Sequence, residues 1–563
     1  MKPSYSLGLD FGTNSVRALV VDVSNGKEIA TAVHNYTMGK KGIILSRNPN
    51  LARQHPAEYV KGAEMSIRKA LAQAKKRVRG FQPEQIIGIG VDATASTPLP
   101  VDEYGKPLAF QKQFVKNPDA MAWLWKDHTA VNEAAEITDL ARSVRPQYLA
   151  KCGGVYSSEW FFSKILHCIR TNPEIAEKAY MWVESVDWIP AMLTGMESPE
   201  NLTVGVCSAG HKAMYNEQWG GYPDHEFLEQ LHPRLAEFGS RMPSRVLTAN
   251  RTVGGLTKAW AKKTGLREGT PVAVGVIDAH MGAVGAGVAT GTLVKIIGTS
   301  TCDIAVSPSD YPLEDIPGMC GIVDGSVLPG HFGLEAGQSA VGDIFNWFVE
   351  YIRPDGKKGT HEALAKQAAV LKPGESGLLA LDWNNGNRTV LVDQKLTGLL
   401  VGQTLYTAPA EIYRALVEAT AFGALTIIKR IENYGVPVEH VVNCGGIAEK
   451  NAFVMQTYAD VLGRPMKLSR SSQTCALGAA IAGAVVAGSK NGGYDSFTDA
   501  QAAMTGLKDK VYEPNQEAHA VYQQLYELYR TLHDAFGTEE WQGNPSKVMK
   551  ELIRLRDQTR GQG

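Results

Sequence analysis

Two segments of this chain share a strand–glycine–strand pattern that restricts the possible folds strongly. In residues 7–22, an apolar strand reaches Asp10, turns through Gly12-Thr13-Asn14-Ser15 and enters a second apolar strand. Apolar runs on either side of a tight polar turn predict a β-hairpin. Glycine lets a backbone approach an anion closely, and successive N–H groups at such a turn can bind phosphate oxygens. An ordinary hairpin without a ligand is the alternative for this segment alone.

Residues 293–306 repeat the design with an apolar strand, Gly298-Thr299-Ser300 and another apolar strand. Aligning Gly12 with Gly298 places Ile296 opposite Asp10, so only the first hairpin contains a carboxylate. The repetition predicts two related halves that face each other across a cleft. We place their boundary in the glycine- and alanine-rich residues 281–291, which are expected to form a hinge. The predicted domains are therefore 1–284 and 285–563.

The rest of the hydrophobic pattern is that of an α/β protein. Continuous apolar runs at residues 85–94 and 272–280 predict strands that are buried on both faces. Helices are predicted at residues 56–79, 411–433, 451–462, 476–484 and 515–536. The helix at 476–484 is rich in small residues and is expected to pack closely against a neighbour, whereas the one at 515–536 is expected on the surface. Strands that alternate with helices indicate the α/β class.

Charge and cysteine content exclude several kinds of partner and site. With 57 Lys+Arg against 58 Asp+Glu, the net charge of −1 gives no electrostatic attraction to nucleic acid or to an acidic membrane. Seven cysteines without a C-x-x-C pair disfavour a zinc site or a disulfide framework. A signal peptide and an apolar run of about 18 residues are both missing, so we expect a cytoplasmic location.

Common phosphate-binding motifs such as G-x-x-x-x-G-K-[ST] do not occur, so phosphate chemistry would use the two hairpin turns. Asp10 could hold Mg²⁺, which prefers carboxylates and keeps several waters. Asp278 is the sharpest catalytic candidate, because it ends a buried run where a carboxylate could accept a hydroxyl proton. From position alone, a helix N-cap or turn role for Asp278 remains equally open.

These segments resemble the motifs of the FGGY carbohydrate kinases, within the actin-like ATPase superfamily. Asp10 to Arg17 is similar to the first phosphate motif of that family, Gly298-Thr299 to its second, and Gly445-Gly446 with Asn451 to its adenosine motif. Residues 398–418 are similar to its C-terminal signature. The resemblance covers about residues 5–490. It implies two actin-like, ribonuclease H-like domains, the first on the sugar side of a cleft and the second on the adenosine side.

The resemblance also implies a role for individual residues. Asp10 would position Mg²⁺, and Asp278 would be the catalytic base that deprotonates the sugar. Residues expected to bind ATP come from both halves of the chain: Thr13, Asn14, Ser15, Arg17, Gly298, Thr299, Gly342, Asn346, Gly445, Gly446 and Asn451.

The sugar side indicates a ketopentose. Ala95-Ser96 stand where glycerol kinases are expected to have an Arg-Glu pair, which leaves room for a longer polyol, and the Gln-Met-His of xylulokinases is also missing. Residues 92–98, 207–215 and 333–343 resemble the family members that phosphorylate L-ribulose. Lys212 and Glu335 could supply the donor and acceptor for sugar hydroxyls, and Asp278 would contact the same substrate. The alternatives are a surface lysine and a structural glutamate.

We therefore expect ATP- and Mg²⁺-dependent phosphorylation of the terminal hydroxyl of a ketopentose, with L-ribulose of arabinose catabolism as the first candidate. A kinase of the same family acting on D-ribulose, xylulose or a pentitol is the nearer alternative. An actin-like ATPase or chaperone is the remote one. The expected partner is a small sugar, with neither nucleic acid nor membrane, and a homodimer is left open.

Overall fold

The computed structural model describes residues 3–354 and 360–561 of the 563-residue chain. Two large mixed sheets organise these residues. From edge to edge the first contains Thr252–Gly255, Pro271–Ala273, Ile86–Ala93, Tyr5–Phe11, Ser15–Asp22 and Glu28–Asn35, with Val276–Ile277 also paired to Ile86–Ala93. Taken from edge to edge in the corresponding direction, the second sheet contains Leu507–Tyr512, Met466–Ser469, Val438–Cys444, Gly291–Ile297, Thr301–Pro308, His331–Ala336 and Gly321–Asp324.

The two sheets share the order of six strands, and Gly321–Asp324 adds a seventh at the edge of the second; the shared order confirms the predicted duplication. In each, a predicted hairpin lies at the centre and its first strand pairs in parallel with a later strand, Ile86–Ala93 or Val438–Cys444. A further antiparallel strand follows on the hairpin side, and one parallel and one antiparallel strand follow on the other. Parallel strands buried on both faces explain the uninterrupted apolar runs of the sequence.

Smaller sheets and helices cover these two sheets. The short strands are Ile44–Leu45, Ala52–Gln54, Ala122–Trp123, Pro98–Val101, Met181–Glu184, Val204–Gly205, Val246–Leu247, Leu379–Leu381 and Leu399–Val401. The helices of the first half are Ala57–Arg77, Val131–Val144, Gln147–Ala150, Phe161–Thr171, Pro173–Lys178, Ser185–Thr194, Val206–Lys212, His225–Leu231, Pro233–Ser240, Lys258–Thr264 and Asp278–Gly285. Those of the second half are Gly342–Asn346, the π-helical Trp347–Ile352, His361–Ala368, Pro409–Asn433, Gly446–Lys450, Ala452–Leu462, Thr474–Ala487, Phe497–Met504, Gln516–Gly537 and Val548–Arg560. None of the helices in the described ranges is long and apolar enough to cross a membrane.

Helices Asp278–Gly285 and Thr474–Ala487 pack side by side, and glycine makes this approach possible. A Cβ on Gly285 would lie 2.0 Å from the carbonyl oxygen of Thr474, and one on Gly478 would lie 1.9 Å from that of Met281. The close packing predicted for residues 476–484 is confirmed. Residues 281–285, the first part of the hinge predicted at 281–291, belong to a buried helix; the hinge itself stays a prediction.

Helix Thr474–Ala487 also packs against the first sheet, where Gly90 faces its backbone. A Cβ on Gly90 would lie 1.7 Å from the carbonyl oxygen of Ala479. We therefore expect Gly90→Val to lower the free energy of unfolding by about 3 kcal/mol, because overpacking forces the helix away from the sheet. Urea denaturation measures this change. Gly446→Ala, where the added Cβ meets no atom within 4 Å, should leave the midpoint unchanged; equal midpoints for both variants would contradict this packing.

One expectation about local structure is also wrong. The run at 272–280 is interrupted at Gly275, where the carbonyl oxygen of Val186 would lie 1.9 Å from a Cβ, and a helix begins at Asp278.

The helix predicted on the surface, Gln516–Gly537, has an exposed face, and its other face packs into the core of the second half. Three of its tyrosines are buried around Phe422, namely Tyr522, Tyr526 and Tyr529.

Candidate active site

The tip of the first hairpin has the geometry that its sequence predicts. Asp10 and Arg17 are register partners on the two strands, and Arg17 Nη1 lies 3.1 Å from Asp10 Oδ2. The Gly12 N–H donates to the carbonyl oxygen of Ser15 at 3.0 Å, which closes the turn. Asp10 and the four residues of the turn are thus held at the end of a central strand.

Side chains of the turn are anchored to the surrounding protein. Trp125 Nε1 donates to Thr13 Oγ1 at 3.0 Å, and Asn14 Nδ2 donates to the carbonyl oxygen of Lys41 at 2.7 Å. Gln54 Nε2 donates to the carbonyl oxygen of Thr13 at 2.6 Å. These bonds fix the turn, so its backbone N–H groups are the natural candidates for phosphate contacts.

Three carboxylates converge beside this hairpin. Asp92 is the register partner of Asp10 on the parallel strand Ile86–Ala93, and Ile277, which precedes Asp278, pairs with Ala93. Residues two positions earlier, Gly8 and Gly90, face helix Thr474–Ala487. Side chains alternate along a strand, so Asp10 and Asp92 point to the same side.

Burial and mutual repulsion perturb all three carboxylates. Burial, followed by the charges of Asp10 and Asp278, holds the pKa of Asp92 well above its usual range. Burial and then the charge of Asp10 raise the pKa of half-buried Asp278 to about 7. Burial also raises the pKa of Asp10, although Arg17 opposes the shift. A group with a pKa near neutrality is suited to accept a proton at working pH.

These carboxylates fit a magnesium ion. Both Asp92 side-chain oxygens are buried and accept no hydrogen bond from an N–H or hydroxyl group of the described residues; their polar neighbour is the carboxyl group of Asp10. Carboxylate oxygens are the ligands that Mg²⁺ prefers, and a cation would relieve the repulsion among the three acids. Asp92 was missed in the sequence, where it was taken only as part of a buried strand. The sequence feature that could have identified Asp92 is the presence of a carboxylate within an apolar run.

Six predicted ATP-binding residues line one cleft of about 800 Å³ in the second half: Gly298, Thr299, Gly342, Asn346, Gly446 and Asn451. Gly342 and Asn346 are the ends of a one-turn helix, and the Gly342 N–H donates to the carbonyl oxygen of Gly298 at 3.1 Å. Gly445 packs behind the cleft, because its Cβ would lie 2.4 Å from the carbonyl oxygen of Ile297.

The same cleft contains residues that sequence reasoning did not select. Helix His361–Ala368 contributes His361, Glu362 and Lys366, and Tyr413 lies opposite. No motif distinguishes this helix from an ordinary amphipathic one. The first-hairpin candidates Thr13, Asn14, Ser15 and Arg17 do not line this cleft.

A second cavity of about 570 Å³ contains Lys212 and Glu335 together with Glu159, Trp160 and Arg388. Lys212 Nζ lies 3.4 Å from Glu335 Oε2, and both side chains are buried. Burial alone would raise the pKa of Glu335, but Lys212 and then two histidines lower it below its usual range. Lys212 is therefore not a surface lysine, and Glu335 lies on a strand; contact of the two side chains with a sugar stays a prediction. Arg388 carried no motif in the sequence.

The catalytic candidate, Asp278, lies close to the charged residues of this second cavity. The pKa of Asp278 responds to Glu335 and Lys212 as well as to Asp10. Asp278 follows Ile277, which pairs with Ala93 next to Asp92, and it begins the helix whose His280 Nε2 lies 3.8 Å from Glu335 Oε2. The role of Asp278 as a catalytic base stays a prediction.

Ala95 and Ser96 lie at a strained turn after the strand of Asp92. Ser96 is buried with φ of +52°, and its carbonyl oxygen accepts from Lys164 Nζ at 2.6 Å. Lys164 also donates to the carbonyl oxygens of Trp123 and Leu124. Ala95 is half-buried against an apolar cluster, and neither residue is among those that line the cavity of Lys212. A substrate contact for Ala95 and Ser96 stays a prediction.

Solved structures share this fold. A xylulose kinase from Rhodospirillum rubrum matches with a TM-score of 0.77 at 23% identity, covering 94% of this chain and 99% of its own. A glycerol kinase from Plasmodium falciparum, solved with ADP, matches with a TM-score of 0.76 at 15% identity, covering 96% and 99%. At such identities the likeness concerns the fold, and it confirms the predicted two-domain α/β architecture.

Sequence relatives extend over nearly the whole chain. A ribulokinase from Shouchella clausii is 42% identical and covers 99% of both proteins, and one from Vibrio parahaemolyticus is 41% identical over 93% of this chain and 95% of its own. The N-terminal and C-terminal domains of the FGGY family of carbohydrate kinases match residues 5–285 and 293–487. This chain belongs to the FGGY family of carbohydrate kinases.

Proposed function

We propose that this carbohydrate kinase transfers the terminal phosphoryl group of ATP to the C5 hydroxyl of L-ribulose, giving L-ribulose 5-phosphate and ADP. The observation that supports the proposal is the position of Asp278, which follows a strand residue paired beside Asp92 and begins the helix whose His280 Nε2 lies 3.8 Å from Glu335 Oε2. Ribulokinases at about 40% identity over nearly the full chain support the choice of sugar.

In the proposed mechanism, the sugar occupies the cavity with its terminal hydroxyl toward Asp278. Lys212 donates to a sugar oxygen and Glu335 accepts from a sugar hydroxyl, so each hydroxyl that is bound becomes a requirement for binding. Asp278 takes the hydroxyl proton as the oxygen attacks the terminal phosphorus, and the bond to the leaving ADP oxygen breaks. The two hairpin turns and Arg17 hold the phosphate oxygens, while the 800 Å³ cleft receives the adenosine.

Asp10 and Asp92 would hold the Mg²⁺ that accompanies ATP. When bound, Mg²⁺ neutralises charge on the phosphate oxygens. We also propose that the two domains meet at residues 284–285; the family matches, of which the first ends at residue 285 and the second begins at residue 293, support a boundary in this region.

Substitution of Asp92 tests this assignment. We expect Asp92→Asn to weaken Mn²⁺ binding to the enzyme–ADP complex by about 10-fold, because an amide offers one neutral oxygen in place of a carboxylate. Electron paramagnetic resonance of free Mn²⁺ measures the change without turnover. Asp102→Asn, at an exposed turn, is the matched control. Equal Mn²⁺ affinity in Asp92→Asn and wild type would remove Asp92 from the metal site.

A coupled assay of ADP release with Mg·ATP tests the substrate. The panel contains L-ribulose, D-ribulose, D-xylulose, L-xylulose, ribitol, arabitol and glycerol. The proposal predicts the highest kcat/KM for L-ribulose. A maximum on another polyol would support a carbohydrate kinase activity but contradict L-ribulose as the substrate. Equal ADP release without any sugar would contradict both claims.

A further inference from the structure

Arg388 brings a further cation into the cavity of Lys212 and Glu335, from a loop of the second half of the chain. The loop lies between strands Leu379–Leu381 and Leu399–Val401, whereas Lys212 belongs to a helix of the first half. Glu335 is paired with Lys212. Arg388 is therefore a charged donor in this cavity that does not belong to the ion pair.

The guanidinium of Arg388 is anchored on two backbone carbonyls. Its Nη2 donates to the carbonyl oxygen of Thr301 at 3.0 Å and to that of Ala336 at 3.3 Å. A Cβ on Gly337 would lie 2.2 Å from the same nitrogen, so the group packs directly against the backbone. A guanidinium is planar and its donors form a rigid fork, so anchoring Nη2 also fixes the direction of the other two nitrogens.

The remaining donors of Arg388 have no acceptor among the residues that the structure describes. Nε is buried without a hydrogen-bond partner, and Nη1 forms no hydrogen bond with these residues either. A charged donor that is removed from water and left without an acceptor costs folding free energy. Because Nε is enclosed by protein, Nη1 is the donor that a ligand in the cavity can reach.

The loop that carries Arg388 is closed and locally strained. The N–H of Asn387 donates to the carbonyl oxygen of Asp393 at 2.8 Å, and the reverse bond measures 2.9 Å. Between them Val392 has a φ of +55°, which is unfavourable for a β-branched residue, and it lines the same cavity. Such strain persists where the surrounding structure enforces it, and it concentrates at ligand sites.

Thr389 fixes this loop to the chain that follows Glu335. The Gly337 N–H donates to Thr389 Oγ1 at 3.2 Å, and Cys320 Sγ lies 2.9 Å from the same oxygen. The backbone that carries Glu335 and the loop that carries Arg388 are therefore held together. Their two side chains reach the cavity from one rigid part of the second half.

We propose that Arg388 is a sugar-binding residue: its Nη1 donates to an oxygen of the sugar while Nη2 stays on the carbonyls of Thr301 and Ala336. The inference deepens the proposed function, because it requires the sugar to occupy the cavity of Lys212 and Glu335. The sugar then receives a charged donor from each half of the chain, Lys212 from the first and Arg388 from the second. Each sugar oxygen that is bound adds to the discrimination against analogues that lack it.

Two substitutions separate the hydrogen bond from the charge. Arg388→Met removes both, whereas Arg388→Lys keeps the charge on a single nitrogen that cannot hold the two carbonyls and a sugar oxygen as the guanidinium fork does. We expect the dissociation constant of L-ribulose to rise by about 10–100-fold in Arg388→Met and by about 10-fold in Arg388→Lys, because each loses a hydrogen bond from a charged donor. Isothermal titration calorimetry without nucleotide measures both constants.

The KM for ATP and a second arginine provide the controls. A purely structural Arg388 would act through Thr301, which follows the turn of the second hairpin, so its loss would raise the KM for ATP as much as the KM for the sugar. We expect the KM for ATP to stay unchanged. Arg234→Met is the matched variant, because Arg234 also donates to backbone carbonyls, those of Ala176 and Ala179, outside the cavity. It should lower the Tm without changing the dissociation constant of the sugar.

An unchanged dissociation constant in Arg388→Met, or wild-type affinity in Arg388→Lys, would overturn the inference, and so would equal rises in the KM for ATP and for the sugar. The panel of sugars distinguishes these results from a failure of the proposed function. If the wild type phosphorylates another sugar of the panel, that sugar replaces L-ribulose in the titration and the same criteria apply. If it phosphorylates none of them, the proposed function fails and the inference fails with it.

Discussion

Asp278→Asn should lower kcat for sugar phosphorylation by about 10²–10⁴-fold, the range over which general-base catalysis acts. Asparagine keeps the shape of the side chain and cannot accept the hydroxyl proton. Since the pKa of Asp278 is about 7, kcat/KM of the wild type should rise with pH through this value as the base ionises. The residual activity of Asp278→Asn should lack this rise. Full activity in Asp278→Asn would contradict the assigned base.

The same substitution should stabilise the protein at neutral and higher pH. The carboxyl group titrates near 3.9 in an unfolded chain but at about 7 in the folded one, so the folded state binds the extra proton between these values. Stability from this group is therefore present at low pH and is lost as the pH rises through about 7. Asp278→Asn removes that loss, so its Tm at pH 8 should exceed that of the wild type. A lower Tm at pH 8, with an intact fold, would contradict the raised pKa.

Lys212→Met should have the second large effect, on stability and on sugar binding. It leaves Glu335 buried without its main cation, which costs about 3–5 kcal/mol of folding free energy. It also removes a charged donor to the sugar, so kcat/KM for L-ribulose should fall by about 10–100-fold. Urea denaturation and initial-rate kinetics measure the two effects.

A double substitution provides the control for this pair. Lys212→Met with Glu335→Gln removes both charges, so stability should recover relative to Lys212→Met alone. Sugar kinetics should not recover, because both polar contacts are missing. If Lys212→Met unfolds at the same urea concentration as the wild type, the ion pair is not a buried one.

The sequence allowed prediction of the fold where local pattern and tertiary structure agree. The two hairpins, the parallel strand at residues 85–94 and the small-residue helix at 476–484 all follow from apolar runs and glycine. Sequence patterns failed where the local structure depends on a contact with a residue far away along the chain. The break at Gly275 depends on a close approach to the carbonyl of Val186, which lies far away along the chain.

The residues of the candidate site also fall into two groups, those with a local sequence signal and those without one. Residues in glycine-containing motifs, such as Gly298 and Gly446, could be selected because their backbone chemistry is visible in the sequence, and Gly342 came from the family resemblance alone. Asp92 and Arg388 could not, because their significance comes from neighbours far along the chain. Asp92 matters because Asp10 lies beside it on the next strand, and Arg388 because it lines the cavity that contains Lys212.

The most direct measurement is ³¹P and ¹³C NMR of the products formed from Mg·ATP and L-ribulose. The mechanism predicts one sugar phosphate for each ADP, with the phosphorus coupled to the two C5 protons of L-ribulose. Inorganic phosphate in place of the sugar ester would contradict phosphoryl transfer by Asp278 and the Lys212–Glu335 cavity.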